Sequence, residues 1–190
     1  MKTIVYLHGF VSSPQSKKAV MLGDYLTNCV TGVDYRVPEL HDRPSRAIEQ
    51  VEDACAGIPV GDLTLVGSSL GGFYATVAAE RRGCRAALLN PAVRPHARFD
   101  RYRGAQRNLY TGEEFVLGPE HIADLAALQP DAITRPGRYW LFVETGDVVL
   151  DYREALDFYN DALHTVVRGG DHTLVSFPEH VPEIVEWAKS

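Results

Sequence analysis

Residues 63–83 read LTLVGSSLGGFYATVAAERRG. Four apolar or β-branched residues, Leu63 to Val66, lead directly into Gly67-Ser68-Ser69-Leu70-Gly71, after which Leu70, Phe73, Tyr74, Val77, Ala78 and Arg81 recur at helical spacing until Gly83. A strand that turns at once into a helix across G-x-S-x-G lifts a serine hydroxyl clear of the sheet. That turn is too crowded for more than glycine two residues to either side. Only Ser69 has glycine at both flanks, so Ser69 and not Ser68 is the candidate nucleophile. In a chain of 190 residues with 16 glycines the motif arises by chance about 0.06 times, before any context is required. The competing reading is a glycine-rich turn in which Ser69 merely caps the helix. Strand, motif and helix agreeing at one place speak against it.

The same alternation extends in both directions. Strands are predicted at Thr3 to Leu7, Asp34 to Val37, Ala86 to Leu89, Tyr139 to Glu144 and His164 to Arg168, besides Leu63 to Val66. Most are apolar nearly throughout, as expected for parallel strands covered on both faces. Between them Leu22, Tyr25, Leu26, Cys29 and Val30 mark one buried helix face, with Ser13 and Pro14 as its start. Ile48, Val51 and Cys55 mark another helix, as do Tyr152, Ala155, Leu156, Tyr159 and Leu163. Val181, Ile184, Val185 and Ala188 close the chain on a helix opened near Pro178 and Pro182. The sum is a three-layer α/β fold of about six mainly parallel strands with right-handed crossovers. Arg94 to Gly137 breaks the pattern, with no convincing strand and only a short helical repeat at Ile122, Leu125 and Ala126. A structureless loop of that length is uncommon, so it reads as a lid inserted into a single domain 1–190 whose core is 1–93 and 138–190.

Composition narrows the partners. A formal net charge of -6 argues against a general nucleic-acid binder, which needs a strongly basic face. Cys29, Cys55 and Cys84 fit neither a disulfide framework nor a C-x-x-C site and read as buried thiols. The opening MKTIVYLHGF has no signal-peptide pattern and no apolar run nears the ~18 residues of a membrane span, so a cytoplasmic protein is expected. There is no H-E-x-x-H, Walker A loop or dinucleotide fingerprint, so no metal and no cofactor is expected. Nothing fixes the oligomeric state.

A serine needs a histidine base held by a carboxylate, and in this fold they follow the serine in the order acid, then histidine. His8, His41 and His96 come too early, His121 lies in the insert and His164 opens a strand. His172, in Gly169-Gly170-Asp171-His172 after the last strand, is the candidate base; His180 is the rival, near the start of the final helix. Asp147 follows the Tyr139 to Glu144 strand and is the candidate acid, with turn formation as its alternative role. The oxyanion donors are expected to be the N–H groups of Leu70, after the nucleophile, and Phe10, in the His8-Gly9-Phe10 loop. His8 then shapes that loop. In the insert, Arg94, Arg98, Arg101, Arg103 and Arg107 form a basic strip that could hold phosphates of an acyl-coenzyme A or simply pair with nearby acids. Tyr102, Tyr110, Phe115 and Leu117 could line an acyl pocket or only pack the lid.

Taken together, HGFVSSPQSKK, GSSLGGFYAT, NPAVRP, YTGEEFVL, TGDVVLDYREA and GGDHTLVSF resemble the YqiA-like esterase family of α/β-hydrolases over essentially the whole chain. The resemblance implies Ser69, Asp147 and His172 as the triad, Leu70 and Phe10 as oxyanion amides, and esters or thioesters of small acyl groups as substrates. The expected function is therefore cofactor-free serine esterase. A lyase or carbon–carbon bond hydrolase on the same framework, or a non-catalytic binding protein, remains an alternative.

Overall fold

The computed structural model describes all 190 residues. In chain order the elements are β1 (Lys2–Leu7), α1 (Lys17–Cys29), β2 (Val33–Arg36), α2 (Pro44–Ala54), β3 (Leu63–Ser68), α3 (Leu70–Arg82) and β4 (Arg85–Leu89). They continue with β5 (Gly104–Arg107), β6 (Glu114–Leu117), α4 (Pro119–Leu128), β7 (Tyr139–Glu144), α5 (Tyr152–Phe158), β8 (Leu163–Val167) and α6 (Phe177–Lys189). Six strands form one sheet in the order β2-β1-β3-β4-β7-β8, with every neighbouring pair parallel. The three-layer α/β fold expected from the sequence is the fold observed.

Both faces of this sheet are covered, which is why its inner strands read as continuous apolar runs. In β1, Val5 and Leu7 join a core cluster with Ala47, Ile48 and Val51 of α2 and Phe73 and Val77 of α3. Ile4 and Tyr6 point the other way, into a cluster with Leu22 and Leu26 of α1 and Ile184 and Val185 of α6. The chain leaves β1 leftward to β2 and leaves β3 rightward to β4, so the order reverses between these two central strands. Their helices, α1 and α3, diverge to opposite faces and open a crevice at the strands' C-terminal ends.

The insert is more ordered than its sequence suggests. β5 and β6 pair as an antiparallel hairpin with Gly104 opposite Leu117 and Arg107 opposite Glu114. Four-residue strands with half-exposed faces give too short an alternation to stand out. α4 is bound to the core: Asp124 accepts from Arg43 Nε at 3.0 Å and Ser45 Oγ at 2.8 Å, and His121 meets Asp42 at 3.1 Å.

Several boundaries differ from expectation. Ser13 does not open α1; its hydroxyl accepts from Gln15 N at 3.0 Å in a preceding turn, and the helix begins at Lys17 after Ser16. Leu163 belongs to β8 rather than α5, and Pro182 sits inside α6, where it forgoes one backbone bond. Cys29 is exposed, at the last position of α1 where the chain turns toward β2, whereas Cys55 and Cys84 are buried. No helix is long and apolar enough to cross a membrane.

Candidate active site

Ser69 lies between β3 and α3 with φ 55° and ψ -120°, a strained conformation for a residue with a side chain. The surroundings hold it there: its N–H donates to Leu89 O at 3.0 Å and its carbonyl accepts from Gly72 N at 2.9 Å and Ala92 N at 3.0 Å. The flanking glycines are a matter of space. A Cβ on Gly67 would lie 2.3 Å from Gly71 O, and one on Gly71 would lie 2.1 Å from Leu7 O. Real Cβ atoms do not come so close, so the G-x-S-x-G spacing is set by β1 and α3 packing directly on the turn.

His172 Nε2 is 3.0 Å from Ser69 Oγ, and its Nδ1 is 2.7 Å from Asp147 Oδ2. The other Asp147 oxygen accepts from Val149 N at 2.8 Å and Leu150 N at 2.9 Å, and the side chain is only 2% exposed. With both oxygens engaged the carboxylate has one orientation. It accepts Nδ1–H from the imidazole, which leaves the Nε2 lone pair facing Ser69. The three residues selected from loop position and chain order thus stand in one hydrogen-bonded line. His180 stands apart on α6, with Nδ1 against Glu183 Oε1 at 2.5 Å and its ring 5.2 Å from that of Phe142. Asp171 turns away from its neighbour and accepts from Thr173 N at 2.7 Å.

Two residues that the sequence reading passed over fix the histidine loop. Glu144, at the end of β7, is fully buried; its Oε2 accepts from Asp171 N at 2.7 Å and Val175 N at 3.1 Å. Its Oε1 accepts from Ser176 N at 2.8 Å and Ser176 Oγ at 2.6 Å. Burial alone would raise its pKa, but these bonds outweigh burial and hold the carboxyl below its ordinary value. Asn90, at the end of β4, gives Nδ2 to Asp171 O at 3.0 Å and accepts from Glu144 N at 3.0 Å. The available signal was a polar residue closing each of two apolar strands that the fold makes adjacent.

The loop after β1 passes against the elbow, where a Cβ on Gly9 would lie 3.3 Å from Ser69 Cβ. His8 shapes it: Nδ1 bonds Gly9 O at 3.1 Å and Nε2 accepts from Leu40 N at 3.1 Å, and burial lowers its pKa. Phe10 follows, its ring packed against Phe99 at 5.1 Å, Tyr102 at 5.9 Å and Phe115 at 6.0 Å. The hairpin adds two bonds to the same loop, Leu109 N to Val11 O at 3.0 Å and Asn108 Nδ2 to Ser12 O at 2.8 Å. Leu70, first residue of α3, has one of the amide N–H groups that a helix leaves without an internal acceptor.

A cavity of about 600 Å³ opens over Ser69 and His172. Its walls are mostly apolar, with Phe10, Val93, Phe99 and Leu150 among them. Of the insert residues expected to line an acyl pocket, Tyr102 and Tyr110 do so, whereas Phe115 packs on Phe10 and Leu117, at the end of β6, is buried outside the cavity lining. Of the basic strip, Arg98 and Arg101 reach the cavity wall and Arg94, Arg103 and Arg107 do not, and most of its charge is engaged by other groups. Arg98 pairs with Glu154, Arg103 with Asp100 at 2.6 Å, and Arg94 lies 5.6 Å over the Phe158 ring.

A model of the family described as "Uncharacterised protein family (UPF0227)" matches residues 3–189. Among solved structures, the chain is similar to alpha/beta hydrolase domain-containing protein 10 from mouse, with 15% identity, a TM-score of 0.76, and coverage of 98% of this chain and 89% of that one. It is similar to Est1E from Butyrivibrio proteoclasticus, with 17% identity, a TM-score of 0.71, and coverage of 99% and 88%. It is also similar to a monoacylglycerol lipase of Paleococcus ferrophilus, with 16% identity, a TM-score of 0.70, and coverage of 98% and 93%. At these identities the likeness establishes the α/β-hydrolase fold.

Proposed function

The chain belongs to the UPF0227 family, which is the YqiA-like family its motifs resemble, and on that premise we propose that it is a serine hydrolase of carboxylic esters of small acyl groups. The observation that carries the reading is the line Ser69, His172, Asp147, with hydrogen bonds of 3.0 and 2.7 Å and the serine strained toward the cavity. Ser69 Oγ attacks the ester carbonyl carbon while His172 Nε2 takes its proton. The oxyanion that forms is held by the N–H groups of Leu70 and Phe10. Collapse breaks the bond to the leaving alkoxide, which receives the proton from His172 and departs as alcohol. Water then gives a proton to His172 Nε2 and attacks the acyl-enzyme, and breakdown returns that proton to Ser69 and releases the acid. Throughout, Asp147 keeps the imidazole in one tautomer and stabilises its cationic form. The same steps cleave a thioester, with a thiol leaving. A volume of about 600 Å³ is enough to take the acyl and leaving groups of a small organic ester together.

Labelling with a fluorophosphonate tests this. Wild type is expected to label at one site and Ser69→Ala not at all, with His172→Ala slowed by roughly 10³-fold or more. Undiminished labelling of Ser69→Ala would sink the assignment. Turnover of matched ester and thioester substrates then ranks the two leaving groups.

A further inference from the structure

The cavity over Ser69 has a wall that its apolar character does not explain. Ser16, Lys17 and Lys18 of the first turn of α1 line one side, and Arg98 and Arg101 line another. No Asp or Glu lines it, in a chain of net charge -6. Arg98 is neutralised by Glu154, and Arg101 lies 4.9 Å over the Tyr102 ring. Lys18 Nζ donates to Thr173 O at 2.7 Å, the carbonyl next after His172. Lys17 reaches the same wall from an exposed position.

The start of a helix is the place for acids, because its free N–H groups carry partial positive charge. α1 does the reverse: its first turn holds two lysines and no acid, and Ser16 makes no capping bond. Ser16 Oγ is shielded from solvent and makes no bond to the backbone N–H groups of the turn it opens. Tyr6, 1% exposed, brings its hydroxyl to Ser16 and Ser68 at the same wall. Asp171 and Glu144 attract Lys18, but Asp171 bonds Thr173, Glu144 is committed to the loop below, and neither lines the cavity. Burial meanwhile pushes the Lys18 ammonium down to about 8, which an anion in contact would reverse. Apart from the Thr173 carbonyl that takes Lys18 Nζ, donors and cations converge on this wall with no acidic side chain to meet them, against local helix preference, as at an anion site.

We infer that Ser16, Lys17 and Lys18 form an anion subsite within the catalytic cavity, so that the natural substrate is an ester or thioester bearing a carboxylate or phosphate remote from its scissile carbonyl. This rests on the serine hydrolase reading for its catalytic half only.

The test pairs kinetics with binding. Three esters of one chromogenic alcohol, with acyl chains of equal length ending in a methyl ester, a carboxylate or a phosphate, are compared in wild type and in Lys17→Gln/Lys18→Gln. Wild type should favour an anionic member over the neutral one at least ten-fold in kcat/KM, the better anion identifying the group, and the double variant should bring that ratio close to one. Separately, glutarate and propyl phosphate are titrated calorimetrically into Ser69→Ala with and without the two lysine changes. Saturable binding that the lysine changes weaken at least ten-fold supports the subsite even if no ester is turned over, in which case the hydrolase reading alone falls. Ser69-dependent hydrolysis with no charge preference, or anion binding indifferent to both lysines, overturns the subsite and leaves the hydrolase standing.

Discussion

Replacing Glu144 with glutamine removes one charge and almost no volume from the point where β7 meets the histidine loop. The native carboxylate is fully buried and accepts four hydrogen bonds, two on each oxygen. In the variant the new amide NH₂ must face one of the two donor pairs. The less costly choice puts it toward Ser176, whose hydroxyl can turn and accept, leaving the Ser176 N–H unpaired at about 1–3 kcal/mol. The two bonds on the remaining oxygen lose their charge-assisted share, about 1 kcal/mol each. The sum is about 3–5 kcal/mol, a fall in Tm of about 10 °C for a domain of this size. Calorimetry at neutral pH reads it directly, and acid sharpens the test. Because the folded carboxyl titrates below its ordinary 4.5, its contribution is complete above that pH and drains away as pH falls through the lowered value. Wild type should therefore lose Tm on acidification faster than Glu144→Gln, and the gap between them should narrow. A gap under about 3 °C at pH 7, or one that stays constant on descending to pH 3, would refute the reasoning.

Other consequences are simpler to check. Gly71→Ala forces a methyl group toward Leu7 O, so chemical denaturation should show a loss of several kcal/mol or no folded protein; a wild-type midpoint would mean that the elbow can relax. Asn108→Ala removes the bond to Ser12 O and the turn bonds to Tyr110 N and Thr111 N. It should cost roughly ten-fold in kcat/KM through the Phe10 loop while moving Tm by only a few degrees, and unchanged kinetics would show that the hairpin does not govern that loop. Burial pushes the Cys55 and Cys84 thiols up to about 11 and about 12, whereas Cys29 is exposed. Iodoacetamide should add one adduct to the native chain and three after denaturation, counted by mass spectrometry.

What was legible in the sequence was whatever the sheet itself imposes. β1, β3, β4 and β7 are covered on both faces and announce themselves as apolar runs, and the elbow is readable because Gly67 and Gly71 are demanded by backbone contact. Ser69, Asp147 and His172 each follow a strand, so chain order and loop position singled them out. The hairpin escaped notice because GAQR and EFVL are too short for a period to emerge. Glu144 and Asn90 escaped because their roles depend on β4 lying beside β7, a neighbour relation across 50 residues of chain that no local pattern encodes. Lys17 and Lys18 draw no reading from the sequence, and one boundary explains why. Opening α1 at Ser13 places them within the helix body, whereas the true start puts them at its positive end facing the cavity.

The two parts of the insert differ in how they are fastened. Gly104 to Leu117 is tied to the Phe10 loop by two hydrogen bonds and a nest of aromatic rings, while α4 is tied to α2 through Asp124 and His121. A hairpin so attached cannot be exchanged as a detachable cover; grafting one from a relative would disturb the Phe10 amide proposed to hold the oxyanion and so is expected to alter turnover as well as preference. The stretch from Gln129 to Arg135 carries neither attachment; Ile133 packs on the core and Thr134 N bonds Glu80, which leaves Asp131 and Ala132 exposed between α4 and these anchors. It is there that this chain can accept length, tags or loops grafted by design while its chemistry stays as it is.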